Sequence, residues 1–218
     1  MTSYAILNGD LVIGDEAIQA YSKETIFDFV KLDNTSKIKE WNYDVSGDLD
    51  VAGTKELKVI NGKIGGDLWA SKSSLEQMSA PIGGDVDISD TIFLKRIDAN
   101  IGGSIFANNS NLEHIEYDIN GSLYIENTHN FKSLSVKIGR DILASYSNLE
   151  HVLYDISGDF HICSTNHFKS LTISVFGDFK ANNSKIERIE RNIGGSLQIR
   201  GTKYLQIITG KIGGMIFC

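Results

Sequence analysis

Two stretches decide how this chain folds: GGDVDISDT (83–91) and GSLYIENTH (121–129). Aligned on Gly84 and Gly121 they lie 37 residues apart, with the apolar beat kept and the charges changed. Extending the alignment outward gives unit starts at Gly47, Gly66, Gly84, Gly103, Gly121, Arg140, Gly158, Gly177, Gly195 and Gly214, separated by steps that alternate as 19 and 18 residues. The longer units carry Thr at unit position 8 and the shorter ones carry Ser. Residues 29–46 fit as a further short unit. Self-similarity at so short a period is the mark of stacked repeats.

One unit reads as an apolar residue at positions 3 and 5, a hydroxyl at position 8, two further apolar anchors and a closing Ile-Gly. By the period-2 rule, positions 3 and 5 of a short strand point inward and positions 2 and 4 outward. The hydroxyl lies where a backbone corner needs a local partner, and the glycine at position 1 marks another corner. A unit of this size holds too few apolar residues to bury a core alone, so units must stack, about 4.8 Å apart where strands pair. Position 5 alternates large and small along the stack: Val51, Ile88, Ile125 and Ile162 against Ala70, Ala107, Ala144 and Ala181, which reads as interdigitation. Outside, Lys58, Glu76, Lys95, Glu113, Lys132, Glu150, Lys169 and Glu187 form an alternating charge ladder that sets neighbour identity and register. The expected fold is mainly β: a solenoid of about ten to twelve such coils over residues 29–218. An N-terminal cap with a degenerate first strand is expected over residues 1–28.

The bulk numbers agree with one soluble repeat domain. Of 218 residues, 41% are hydrophobic and 22% charged, and a single proline stands against 21 glycines, so glycine here punctuates corners rather than linkers. The start of the chain has no basic, apolar leader and no stretch approaches a membrane span, so a cytoplasmic location is expected, the host cytosol if the chain is phage-encoded. Cys163 and Cys218 make neither a disulfide framework nor a zinc site. A net charge of −7 argues against direct nucleic-acid binding and leaves basic partners open.

The pattern L-x-L-x-x-N-x-L-x-x-L, with Thr or Ser in place of Asn, and the IGG link of GGDLWASKSSLEQMSAPIGGDVDIS (65–89) resemble the short leucine-rich-repeat-like units of bacterial and phage-borne proteins. The resemblance covers roughly residues 29–218. It implies a right-handed solenoid whose strand face binds another macromolecule, and it transfers no catalytic residue. The missing Asn ladder and short convex segments leave a straighter β-helix, of the kind bactofilins build, as the alternative architecture.

Positions 2 and 4 form the most regular exposed surface. At position 4, Trp69 is followed by Phe106, Tyr124, Leu143 and His161, large side chains facing outward where a coil needs none of them. Asp48, Asp50, Asp67, Asp85 and Asp87 surround Trp69, an arrangement suited to a basic protein segment or an amine. A structural alternative for the position-2 aspartates is that they cap the glycine corner. Asp85 and Asp87 on one strand span a separation usable for glycoside hydrolysis, but nothing marks either as the acid and no insertion builds a cleft. No nucleophile motif, phosphate loop or metal-ligand spacing is present, so no cofactor and no enzymatic activity are expected.

The expected function is a non-enzymatic repeat protein that binds a protein partner through this face, in one version an inhibitor of a host factor carried by a phage or mobile element. A self-assembling scaffold and a glycan-binding or carbohydrate-active solenoid are the alternatives. The final stretch Met215, Ile216, Phe217 and Cys218 starts a coil with no coil stacked on it, and a homodimer through that edge is expected.

Overall fold

The computed structural model describes residues 2–218 and forms a β-solenoid of about 11 turns of ~18 residues. Each coil contributes a two-residue strand at positions 3 and 4, and these strands pair in parallel with the coil before and the coil after. They build most of a 13-stranded sheet. The second side of each coil carries short parallel pairs in sheets of two or three strands, such as Val59–Ile60 between Glu40–Trp41 and Gln77–Met78. The third side is a line of single parallel bridges through the closing apolar residue, Val45 to Ile64 to Ile82 to Ile101 to Ile119 to Ile138. Among the described residues no helix is long and apolar enough to cross a membrane.

The inward columns are filled as the repeat predicts. Leu68, Val86, Ile105, Leu123 and Phe160 at position 3 are fully buried, as are the alternating Ile88, Ala107, Ile125 and Ala144 at position 5. With only short strands, the side chains of neighbouring coils must interlock, and this alternation lets each large residue sit over a small one.

The corner after each strand has one construction. Position 7 takes a left-handed conformation in coil after coil: Gly53 and Gly201 at φ 71°, Asn109, Asn127 and Asn183 at 56°, and also Lys72 at 56° and Tyr146 at 59°. In several coils the position-8 hydroxyl then donates back to the position-5 carbonyl, as in Thr91 to Ile88 at 2.6 Å and Ser147 to Ala144 at 2.6 Å, while in others, as at Ser73 and Ser110, it accepts the N–H two residues on. Thr128 reaches the Ala107 carbonyl of the neighbouring coil at 2.9 Å. Most of the buried hydroxyl column is thus spent on backbone, as its spacing suggested, whereas Ser184 Oγ is buried without a partner.

The paired glycines of the IGG link serve close approach rather than a left-handed corner. A Cβ on Gly83 would stand 2.1 Å from the Gly65 carbonyl oxygen of the coil before, and one on Gly84 would stand 2.0 Å from Oδ1 of Asp67. Neither glycine has positive φ. The first glycine therefore makes room for backbone and the second for a side chain.

That side chain belongs to an inter-coil ladder. Asp48 Oδ1 accepts the Asp67 N–H at 2.8 Å, Asp67 accepts from Asp85 at 2.7 Å and Asp85 from Ser104 at 2.6 Å. Ser104 and Ser122 continue it with hydroxyls, and Asp141, Asp159 and Asp178 with carboxylates. Three rungs of the external charge ladder close as ion pairs, Lys58–Glu76 at 2.8 Å, Lys95–Glu113 at 3.1 Å and Lys169–Glu187 at 3.3 Å, whereas Lys132 and Glu150 form no ion pair among the described residues. These pairs are solvated, so they favour the right neighbour more than they add stability.

Before the first coil, strands β1 (Tyr4–Leu7) and β2 (Asp10–Ile13) form an antiparallel hairpin around Asn8-Gly9, followed by a short helix α1 (Asp15–Gln19) and strand β3 (Ile26–Phe27). β1 pairs antiparallel with β4 (Phe29–Lys31), the first strand of the solenoid sheet. Ile18, Phe27 and Trp41 are fully buried there, and the Phe27, Trp41 and Tyr43 rings lie 5.1–5.9 Å apart.

Candidate functional site

The outward face of the 13-stranded sheet follows from the register. Because each strand pairs residue for residue with its neighbour, one side-chain column runs Lys31, Asp50, Trp69, Asp87, Phe106, Tyr124, Leu143, His161, Lys180, Gln198 and Phe217. Phe106, Tyr124, Leu143 and His161 are therefore lateral neighbours on consecutive strands, about 4.8 Å apart. The Phe106 and Tyr124 rings stack, 4.6 Å between centroids and 8° between planes. Trp69 is 40% exposed and is separated from Phe106 by Asp87.

The acidic group is assembled around Trp69 but is partly committed. One oxygen each of Asp48, Asp67 and Asp85 belongs to the inter-coil ladder. Asp50 and Asp87 each accept the N–H two residues on, from Ala52 at 3.1 Å and Ser89 at 2.9 Å, and Asp50 also pairs with Lys31. The second oxygens of Asp48, Asp67, Asp85 and Asp87 take no hydrogen bond among the described residues. Their charge is thus held in place by the coil and remains on the surface.

His161 closes the apolar row. Burial depresses its pKa first and the Lys180 ammonium on the next coil adds to that, against Asp159, Asp141 and Asp178. Its Nε2 is enclosed without a hydrogen-bond partner, with Asp159 at 3.9 Å. The neutral imidazole behaves here as an extension of the apolar row.

The repeat pattern missed the part of this face that lies before the first coil. In the hairpin Tyr4 pairs with Ile13 and with Lys31, and Ile6 with Leu11 and Phe29. These side chains continue the outward face toward the N-terminus, with Leu11 60% and Ile13 59% exposed. The signal was available: an Asn-Gly pair between alternating apolar residues is a strong short hairpin cue.

Elsewhere, a shallow recess of about 890 Å³ runs over the third side between Ile26 and Tyr117, floored by Gly65, Gly83 and Gly102 with Asp44, Lys63 and Asn100 beside it. Its floor is a by-product of the close approach of the IGG links. Among the described residues there is no group of three or more His, Cys, Asp or Glu side chains able to hold a metal ion. In the last coil Met215 is 67% and Ile216 51% exposed, Cys218 is exposed and Phe217 half-buried, while Leu197, the neighbour of Ile216 one coil back, is fully buried. No protein-family model, curated protein or solved structure matches the chain.

Proposed function

We propose that this chain is a non-enzymatic binding scaffold that engages a protein partner through the outward face of its 13-stranded sheet. The observation that carries this is the unbroken row Phe106, Tyr124, Leu143 and His161 on neighbouring strands. A coil needs only inward apolar residues, yet this half-buried outward row forms a rigid, preformed apolar strip, and interface centres are built from such aromatic anchors. The carboxylates around Trp69 flank the strip on one side and add the polar border that specific protein contacts use. A narrower form makes the chain an inhibitor of a host factor, carried by a phage or mobile element.

Affinity capture from native lysate tests the proposal, comparing the wild-type chain with a Phe106→Ser, Tyr124→Ser variant. Lys180 and Gln198 occupy the same column, so polar residues there are compatible with the fold. The expected result is a protein retained by the wild type and lost by the variant. An identical set of proteins captured by both would remove this face from the function.

A further inference from the structure

We propose that the partner segment is a cationic amphipathic polypeptide lying across the strands, its basic side chains over Trp69 and its apolar side chains on Phe106, Tyr124 and Leu143. This rests on the binding face proposed above and adds the chemistry of the occupant.

Charge complementarity selects that chemistry. Three successive coils place Asp48, Asp50, Asp67, Asp85 and Asp87 on the face, against the single cation Lys31. The next two coils place Ser104, Phe106, Ser122 and Tyr124 there, with no charge at all. The face therefore changes from acidic to apolar across one strand spacing, about 4.8 Å. An anionic occupant such as a nucleic acid is repelled at the first zone, and an uncharged apolar one leaves the carboxylates desolvated without partners.

Trp69 fixes where the cation sits. It is exposed, with Asp50 and Asp87 directly on either side in the same column. An ammonium or guanidinium over that ring meets the π face and a carboxylate at once, and Arg does both best. The backbone hydrogen bonds that pin Asp67, Asp85 and Asp87 mean that little side-chain freedom is lost when the partner arrives. From Trp69 to Tyr124 is three strand spacings, about 14 Å, the length of roughly ten helical residues. One short amphipathic helix with Arg toward one end spans both zones.

Three synthetic peptides of about ten residues test this: an Arg/Leu amphipath, its Glu/Leu counterpart and its Arg/Ser counterpart. The readout is tryptophan emission of the full chain, in which Trp41 is fully buried and Trp69 is exposed. The Arg/Leu peptide is expected to bind and shift the emission, to weaken as salt shortens the screening length, and to outbind both counterparts. An Asp67→Asn, Asp85→Asn, Asp87→Asn variant keeps a carbonyl acceptor at each site, as Asn108 and Asn182 do for Glu126 and Arg200 on neighbouring coils. It should fold and bind the Arg/Leu peptide on the order of tenfold more weakly, the sum of three exposed ion pairs.

Equal binding of the Glu/Leu and Arg/Leu peptides, or an unchanged affinity in the triple Asn variant, overturns the cationic occupant while leaving the face in place. Failure of the Arg/Leu peptide to bind at low ionic strength overturns it as well. Undiminished Arg/Leu binding by the Phe106→Ser, Tyr124→Ser variant removes the apolar half and the proposed binding face together.

Discussion

The ladder that joins coil to coil can be tested by a double-mutant cycle on Asp67 and Gly84. Asp67→Ala removes the acceptor of the Asp85 N–H, a charge-assisted bond of 2.7 Å, and should cost about 1.5–3 kcal/mol. Gly84→Ala places a Cβ 2.0 Å from the same Asp67 oxygen and 2.9 Å from the Gly66 carbonyl group. The carboxylate has to swing away, so this single change loses the same hydrogen bond and adds strain against Gly66. In the double variant the bond can be lost only once. The two costs should therefore fall short of additivity by about 1–2 kcal/mol. The chain already contains a related arrangement: Arg140, the one non-glycine among the ten unit starts from Gly47 to Gly214, follows Ser122 rather than an aspartate. Urea unfolding followed by far-ultraviolet circular dichroism on the wild type, both singles and the double measures the cycle, with Asp67→Asn as a control that keeps the acceptor. Additivity within about 0.5 kcal/mol would refute the idea that the second glycine exists for the carboxylate.

Three other outcomes follow from the same columns. Tyr146 and Lys72 hold left-handed φ values of 59° and 56°, so Tyr146→Gly or Lys72→Gly should stabilise by about 1 kcal/mol in thermal melts, whereas Gly53→Ala at φ 71° should destabilise by a similar amount. Ala144 is fully buried between Ile125 and Ile162 of the adjoining coils, so Ala144→Ile should overpack the axis and cost about 1–3 kcal/mol, with a lowered melting midpoint and no change in sheet content. His161 has its pKa lowered from 6.5 in the folded chain, so the unfolded chain takes up the proton first. Stability should fall as pH drops below 6.5 toward the folded value and should not depend on this group above 6.5. His161→Leu should flatten that part of a melting-temperature profile.

How much of this was legible in the sequence differs column by column. The inward apolar positions, the alternation at position 5 and the Lys/Glu ladder could be read directly, because their periodicity is the physical cause of the stacking. The hydroxyl at position 8 could be read for the same reason. The role of the IGG glycines was less accessible. A glycine that makes a corner and a glycine that admits a neighbour's carboxylate look alike in one dimension, and only the stacking register brings Asp67 onto Gly84. The position-2 aspartates show the same limit: their spacing revealed a column, but their partner, an N–H 18 or 19 residues on, is visible only once coils are superposed. On the candidate face, the order Trp69, Phe106, Tyr124, Leu143, His161 was available from the repeat, whereas Tyr4, Ile6, Leu11 and Ile13 lie outside it and join the face through antiparallel pairing.

A structural explanation competes with the functional one for part of the row. Stacked rings on adjacent strands stabilise a sheet by about 0.5–1.5 kcal/mol beyond their buried area, and that alone accounts for Phe106 beside Tyr124. It does not extend to Leu143 on the next strand, which has no ring of its own to stack, nor to Trp69, which stands exposed between two carboxylates. Most other columns of the strand and corner are committed: position 1 to close approach, position 2 to the ladder, positions 3 and 5 to the core, position 7 to a left-handed turn and position 8 largely to nearby backbone. Position 4 is free of such demands at Trp69, Phe106, Tyr124 and Leu143, and it is the outward strand column where large apolar side chains lie on consecutive coils. Lys180 and Gln198 occupy the same column, so the coil does not require Leu143 or Trp69 there, and apolar area left half-buried or exposed on a surface carries an aggregation cost. Residues that the fold does not require, placed side by side at that cost, are the ground on which we propose a partner for this face.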